Sequence, residues 1–194
     1  MKIAIITGTR HAVTEGQARE IQQVISAVVS RGYALYFGDA DGVDEIAYKC
    51  ATEKAFSTAP LLFYKRFYPV ERLGRSAAGL AERSTRIVKT AINDSHGDHV
   101  VCIGFPGGDC PDTITPARTW KSGRSGTWST MALAQGHQVE TWFFNTMHQH
   151  GTTGTAWLGT WRQEMFFNTM PGWRYYDVTN EFAFFPEAEL YREE

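Results

Sequence analysis

Residues 2–11 read Lys-Ile-Ala-Ile-Ile-Thr-Gly-Thr-Arg-His, and residues 33–47 read Tyr-Ala-Leu-Tyr-Phe-Gly-Asp-Ala-Asp-Gly-Val-Asp-Glu-Ile-Ala. Each stretch couples a short apolar run to a glycine turn: Gly8-Thr9-Arg10 in the first, Gly38-Asp39-Ala40-Asp41-Gly42 in the second. Helix-like spacing follows both turns. A near-continuous apolar run is what a parallel strand buried on both faces requires. A glycine turn between such a strand and a helix gathers free N–H groups and a positive helix end. Open α/β sheets hold phosphates and nucleotides at such places.

The same alternation continues along the chain. Thr14 and Gln17 have capping-box spacing, and Ile21, Val24, Ile25 and Val28 then recur on one helical face until Gly32. Val43, Ile46, Ala47, Cys50 and Ala51 mark a second helix, and 61–64 a third strand. Residues 76–92 read as a third helix, 99–105 as a fourth strand ended by Pro106-Gly107-Gly108, and 109–125 as a long polar loop. Met131 to Gln135 belongs to a fourth helix and Gln138 to Phe143 to a fifth strand. This pattern predicts an α/β, Rossmann-like three-layer fold with a mostly parallel sheet over residues 1–144.

Residues 145–194 differ in character. Half of the 26 aromatic residues lie between Trp142 and Phe185, which is too apolar for a disordered tail. They predict an aromatic-rich C-terminal extension packed on the same domain, as an edge cover, a ligand cover or a dimer contact. The pentapeptide Phe-Phe-Asn-Thr-Met occurs at 143–147 and again at 166–170, as a duplicated hairpin or by chance.

Composition narrows the function classes. The 194 residues are 43% hydrophobic and 21% charged, ordinary for one folded domain. No apolar run reaches the ~18 residues of a membrane span, and the start of the chain turns polar too soon for a signal peptide. Cys50, Cys102 and Cys110 are odd in number and contain no CxxC, so a reducing cytoplasm is expected, without disulfides or a zinc cage. Net charge is −2, against a general polyanion binder. Charge is nevertheless uneven. Lys65, Arg66, Arg72, Arg75, Arg83, Arg86 and Lys89 face only Glu71 and Glu82 within 65–89, and Arg118, Lys121 and Arg124 follow without an acid. Local positive charge in a near-neutral chain suits a focused anion site.

Together these motifs resemble the SLOG superfamily, which unites the DNA-processing DprA/SMF proteins with the LOG nucleotide hydrolases. Gly8-Thr9-Arg10 and Gly38-Asp39-Ala40-Asp41-Gly42-Val43-Asp44-Glu45-Ile46-Ala47 match its first two signatures. Ala78 to Val88 is similar to its arginine-rich helix start, Gly104 to Gly108 to its PGG turn, and Ser125-Gly126-Thr127 to its Gly-Thr helix start. The resemblance covers about residues 2–142. It implies a nucleotide ligand, frequent homo-oligomers such as a homodimer, and a phosphate pocket. That pocket would draw on Gly8, Thr9, Arg10, Gly38, Asp39, Ala40, Asp44, Arg83, Arg86, Pro106, Gly107, Gly108, Ser125, Gly126 and Thr127.

The chemistry of these residues agrees with such a role. Glycines admit close backbone approach, Thr9 and Thr127 offer hydroxyl and N–H donors, and arginines grip phosphate with two prongs. Arg83 and Arg86 have the alternative of a solvated helix face. A helix cap is the expected role of Asp41. For Asp44 a helix cap stands beside a ribose contact, a magnesium ligand or a general base. Magnesium is the one cofactor these carboxylates suggest, and no metal cage is expected.

One departure bears on catalysis. The LOG hydrolases carry a Glu three residues after the Gly-Thr pair, where this chain has Thr130. Threonine supplies no carboxylate for acid–base work. Nucleotide binding as a sensor or sequestering protein is therefore the leading expectation. An N-glycosidic hydrolase using Asp44 and Arg83, with Glu15 or Glu82 as substitutes, is the second. A DprA-like single-stranded DNA binder is the third. His11 follows the first turn and is a candidate ligand contact. His148 and His150 lack a third metal ligand and read as surface or packing residues. Trp128 is expected either to stack on a base or to cap the core.

Overall fold

A computed structural model describes residues 1–53, 63–120, 125–145 and 160–176. Within these, seven strands form one sheet in the order β3-β2-β1-β4-β5-β7-β6. The strands are β1 (Ile3–Gly8), β2 (Ala34–Phe37), β3 (Tyr64–Arg66), β4 (Val100–Phe105), β5 (Glu140–Phe143), β6 (Thr160–Phe166) and β7 (Met170–Tyr176). Strands β1 to β5 are parallel, and β7 joins β5 antiparallel. The helices are α1 (Glu15–Val29), α2 (Val43–Thr52), α3 (Ala77–Ser95) and α4 (Gly126–Gly136).

The predicted α/β class and mostly parallel sheet are present. Side-chain alternation divides the core in two. Ala4 and Ile6 join Ile21, Val24, Ile25 and Val43 on the α1/α2 face, while Ile3 and Ile5 join Ile87, Val88, Trp128 and Met131 on the α3/α4 face. The capping box at Thr14 and Gln17 starts α1, with Gln17 N–H donating to Thr14 Oγ1 and Thr14 N–H to Gln17 Oε1. α1 ends at Val29, and Gly32 follows with φ +78°.

Two boundaries differ from expectation. The third strand includes Tyr64, the last residue of the expected 61–64, and runs on to Arg66, while Leu61 and Leu62 fall outside the described residues. Tyr64 pairs with Leu35 and Arg66 with Phe37, so an edge position rather than hydrophobicity fixes this strand. The C-terminal extension does more than cover the sheet: β6 and β7 extend it beyond β5. Trp161 and Phe166, five residues apart, fall on opposite faces and enter different cores. The two Phe-Phe-Asn-Thr-Met copies begin differently. Phe143 ends a parallel strand, whereas 166–170 makes the β6–β7 turn, with Phe167 and Asn168 at positive φ. His148 and His150 lie outside the described residues.

Candidate functional site

The strand order reverses between β1 and β4: β2 and β3 lie to one side of β1, β4 and β5 to the other. Carboxyl ends of strands at such a reversal leave a crevice, because the two sets of connections leave in opposite directions. A cavity of about 720 Å³ opens there. That volume is in the range of small-molecule sites, ~300–1,000 Å³. Gly8, Thr9, Arg10 and His11 enter it from the β1 turn, Ala40, Asp41 and Asp44 from the β2 turn, and Gly107 and Gly108 from the β4 turn. Ser125, Gly126 and Thr127 enter from the start of α4, and Ala77, Ala78 and Arg83 from α3.

Helix starts dominate the wall. Ser76 caps α3 by accepting Gly79 N–H at 3.1 Å, and Ser125 caps α4 by accepting Trp128 N–H at 3.4 Å. Neither helix has an acid in its first turn, so neither positive end is neutralised by its own side chains. α1 and α2 do carry first-turn acids, Glu15 in one and Asp44 with Glu45 in the other.

Beneath the cavity lies a buried ionic cluster. Arg83 Nη1 donates to Asp39 Oδ1, and Arg83 Nη2 lies 3.7 Å from Asp44 Oδ2. Arg75 Nη2 donates to Asp39 Oδ2 at 2.7 Å, with its own side chain mostly exposed. Ala40 N–H donates to Asp44 Oδ2 at 3.2 Å. Burial pushes the Asp44 carboxyl up to about 6, although the Arg83 charge and the Ala40 N–H pull it down. Asp44 therefore changes charge at about pH 6, just below neutrality.

Gly38 makes this cluster possible. A Cβ there would sit 2.4 Å from Asp44 Oδ2 and 2.6 Å from Arg83 Cζ. Gly38→Ala is expected to destabilise the protein by about 1–3 kcal/mol, the usual range for overpacking. A lower urea midpoint at unchanged slope is the expected reading; an unchanged midpoint would refute this packing argument. Gly42 has φ +72° and is the N-cap of α2, and Val43 N–H donates to Thr9 O at 3.1 Å. The turn thus locks the β1 and β2 loops together. The expected Asp41 cap does not form: Asp41 is exposed, and α2 has no side-chain cap.

Other predicted residues sort by position. Gly38, Asp39 and Pro106 lie behind the wall, Asp39 as the anchor of both arginines. Arg86 is not brought to the cavity: exposed on α3, it donates to Tyr68 O at 3.3 Å. Arg86 lies further along α3 than the cavity-lining residues, which run from Ala77 to Ser84, so the rise of the helix carries it past the cavity. Lys65 and Arg66 pair with Asp94 and Glu45, away from the cavity. Trp128 caps the core: it is 2% exposed, its Nε1–H donates to Gly108 O at 2.8 Å, and it meets Phe143 and Trp161 edge-on. Thr130 is buried, with its hydroxyl donating to Gly126 O at 2.8 Å, so no acid replaces the missing carboxylate at that position.

Sequence reasoning missed Arg75, Ser84, Asp109, Pro111 and Trp120 as cavity residues. The donor set does not suit a resident magnesium ion. Asp44 is engaged by Arg83, and among the described residues no three or more His, Cys, Asp or Glu group together as metal ligands. No helix among the described residues is long and apolar enough to cross a membrane. No family model, curated protein or solved structure matches the chain.

Proposed function

We propose that this protein binds a nucleotide or nucleotide-derived small molecule, as a sensor or sequestering protein. One observation carries the reading: two acid-free helix starts and the Arg75 and Arg83 guanidinium groups converge on a cavity at the strand-order reversal. Oriented N–H groups and arginines supply what a phosphate needs, and a preformed cavity limits the ordering cost of binding. The SLOG-like motifs support the same reading, since Gly8-Thr9-Arg10, Gly107-Gly108 and Ser125-Gly126-Thr127 all reach this cavity. Cytoplasmic residence and homodimerisation belong to the same proposal. A single-stranded DNA track is less favoured, because Lys65 and Arg66 are paired with acids away from the cavity.

Mass spectrometry of ligand released from purified protein, with calorimetry against a nucleotide panel, tests the proposal. Saturable binding of at least one member is expected. No heat with any mono-, di-, cyclic or ADP-ribose-type nucleotide overturns it.

A second reading, N-glycosidic bond hydrolysis, is favoured by one feature. Asp44 lines the cavity with a carboxyl raised to about 6, within reach of a proton-transfer role near neutral pH. Release of free base from nucleoside monophosphates would support it. Unchanged turnover in Asp44→Asn removes it.

A further inference from the structure

The 109–120 segment looks like a featureless polar loop in sequence, yet it is built. Cys110 and Ile114 are buried in the α3/α4 core. Thr115 and Arg118 pair as an isolated bridge, through Thr115 N–H to Arg118 O at 3.3 Å and Arg118 N–H to Thr115 O at 2.8 Å. Pro116 O packs where a Cβ on Gly136 of α4 would stand, 2.9 Å away. Two residues past this bridge, Trp120 reaches the cavity wall.

Trp120 differs from its counterparts. Trp128, Trp142 and Trp161 are buried among aromatic neighbours, and Trp173 stacks on Phe143. Trp120 is half-buried, lines the cavity, and has no ring partner or hydrogen bond among the described residues. Among the described residues, no side chain stacks on this large indole, which an anchored loop holds at the cavity wall. Ala77, Ala78, Leu80 and Ala81 of α3 supply further apolar lining. Phosphate gains nothing from such a surface, and a sugar offers it only a C–H edge; a flat heteroaromatic ring covers it face to face.

We propose that Trp120 is a specificity-determining residue that stacks on the base of the bound ligand. The cavity then selects nucleoside phosphates over sugar phosphates and inorganic phosphate. This inference rests on the anion-binding reading above and adds the recognition of the base to it. Stacking on a protein aromatic tolerates any base but requires one.

The test is calorimetry of the full chain with three probes: a nucleoside monophosphate, ribose 5-phosphate and inorganic phosphate. The wild type should bind the nucleotide best. Trp120→Ala should weaken nucleotide binding roughly ten- to hundredfold and leave ribose 5-phosphate binding unchanged, while Trp120→Phe retains most nucleotide affinity. Thermal unfolding of each variant confirms that the fold is kept. Equal wild-type affinity for nucleotide and ribose 5-phosphate, or an equal loss of both in Trp120→Ala, overturns the stacking role and leaves the anion site standing. Failure of all three probes to bind the wild type overturns the anion site, and this inference with it.

Discussion

Arg83→Met is expected to lower stability by about 3–5 kcal/mol near pH 7.5, the range for removing one partner of a buried ion pair. The Arg83 side chain is 10% exposed, and those of Asp39 and Asp44 are 4% and 7% exposed. Methionine keeps the volume but leaves two acids with little access to water. They do not suffer equally. Asp39 retains the Arg75 guanidinium. Asp44 keeps the Ala40 N–H and the more distant Arg66 charge, so it relieves its own charge by taking up a proton. The loss should therefore shrink at about pH 5, where Asp44 is neutral in either protein, and Arg83→Met with Asp44→Asn should recover much of it at about pH 7.5. Arg83→Lys should rescue poorly, because separate guanidinium nitrogens face Asp39 and Asp44 and an ammonium is one compact charge. Urea unfolding at the two pH values is the measurement. A loss below about 1 kcal/mol, or one independent of pH, would show that the cluster does not carry this energy.

That cluster also marks where sequence reading stops. The glycine turns and strand cores were legible, because a parallel strand buried on both faces needs an apolar run such as Ile3 to Ile6 whatever its neighbours. The first helix was legible because Thr14 and Gln17 act within one turn. Asp39 and Arg83 are 44 residues apart, and no local pattern joins them. Their meeting depends on α3 lying on the face opposite α2, which is a property of the topology. Trp120 was hidden for a related reason: its position follows from Cys110 and Ile114, whose burial in a polar stretch has no period to reveal it. The β6–β7 hairpin shows a third kind of failure. It lies at the sheet edge and buries few residues, so Thr160–Phe166 lacks the strict alternation that announces a strand.

Binding of an anion in this cavity is expected to weaken by at least roughly tenfold as pH rises from about 5.5 to about 7.5, and Asp44→Asn should remove most of that dependence. The sign follows from the charges that face Asp44. Arg83 lies beside it, with Arg66 further off; Asp39 adds negative charge behind, and Arg10, His11, Asp41, Arg75 and Asp109 share the cavity. With Asp44 ionised, Asp39 and Asp44 offset Arg75 and Arg83. With Asp44 protonated, the group of four has one net positive charge. An arriving anion favours the protonated form, so binding takes up a proton and is strongest below about pH 6, where Asp44 holds its own. The same raised value fixes the stability trend of the free protein. Relative to Asp44→Asn, the wild type is favoured fully below about pH 4 and loses that advantage as pH climbs through about 6. The probe should be a phosphodiester, because the second ionisation of a monoester falls near the same pH. His11 should be replaced by Gln in both proteins, so that the two differ at the cavity wall only in the Asp44 carboxyl. Calorimetry across this range gives affinity and, in buffers of different ionisation heat, proton uptake. Equal slopes in the presence and absence of the Asp44 carboxyl would mean that the anion does not sense it, and would move the ligand away from the β2 turn toward α4.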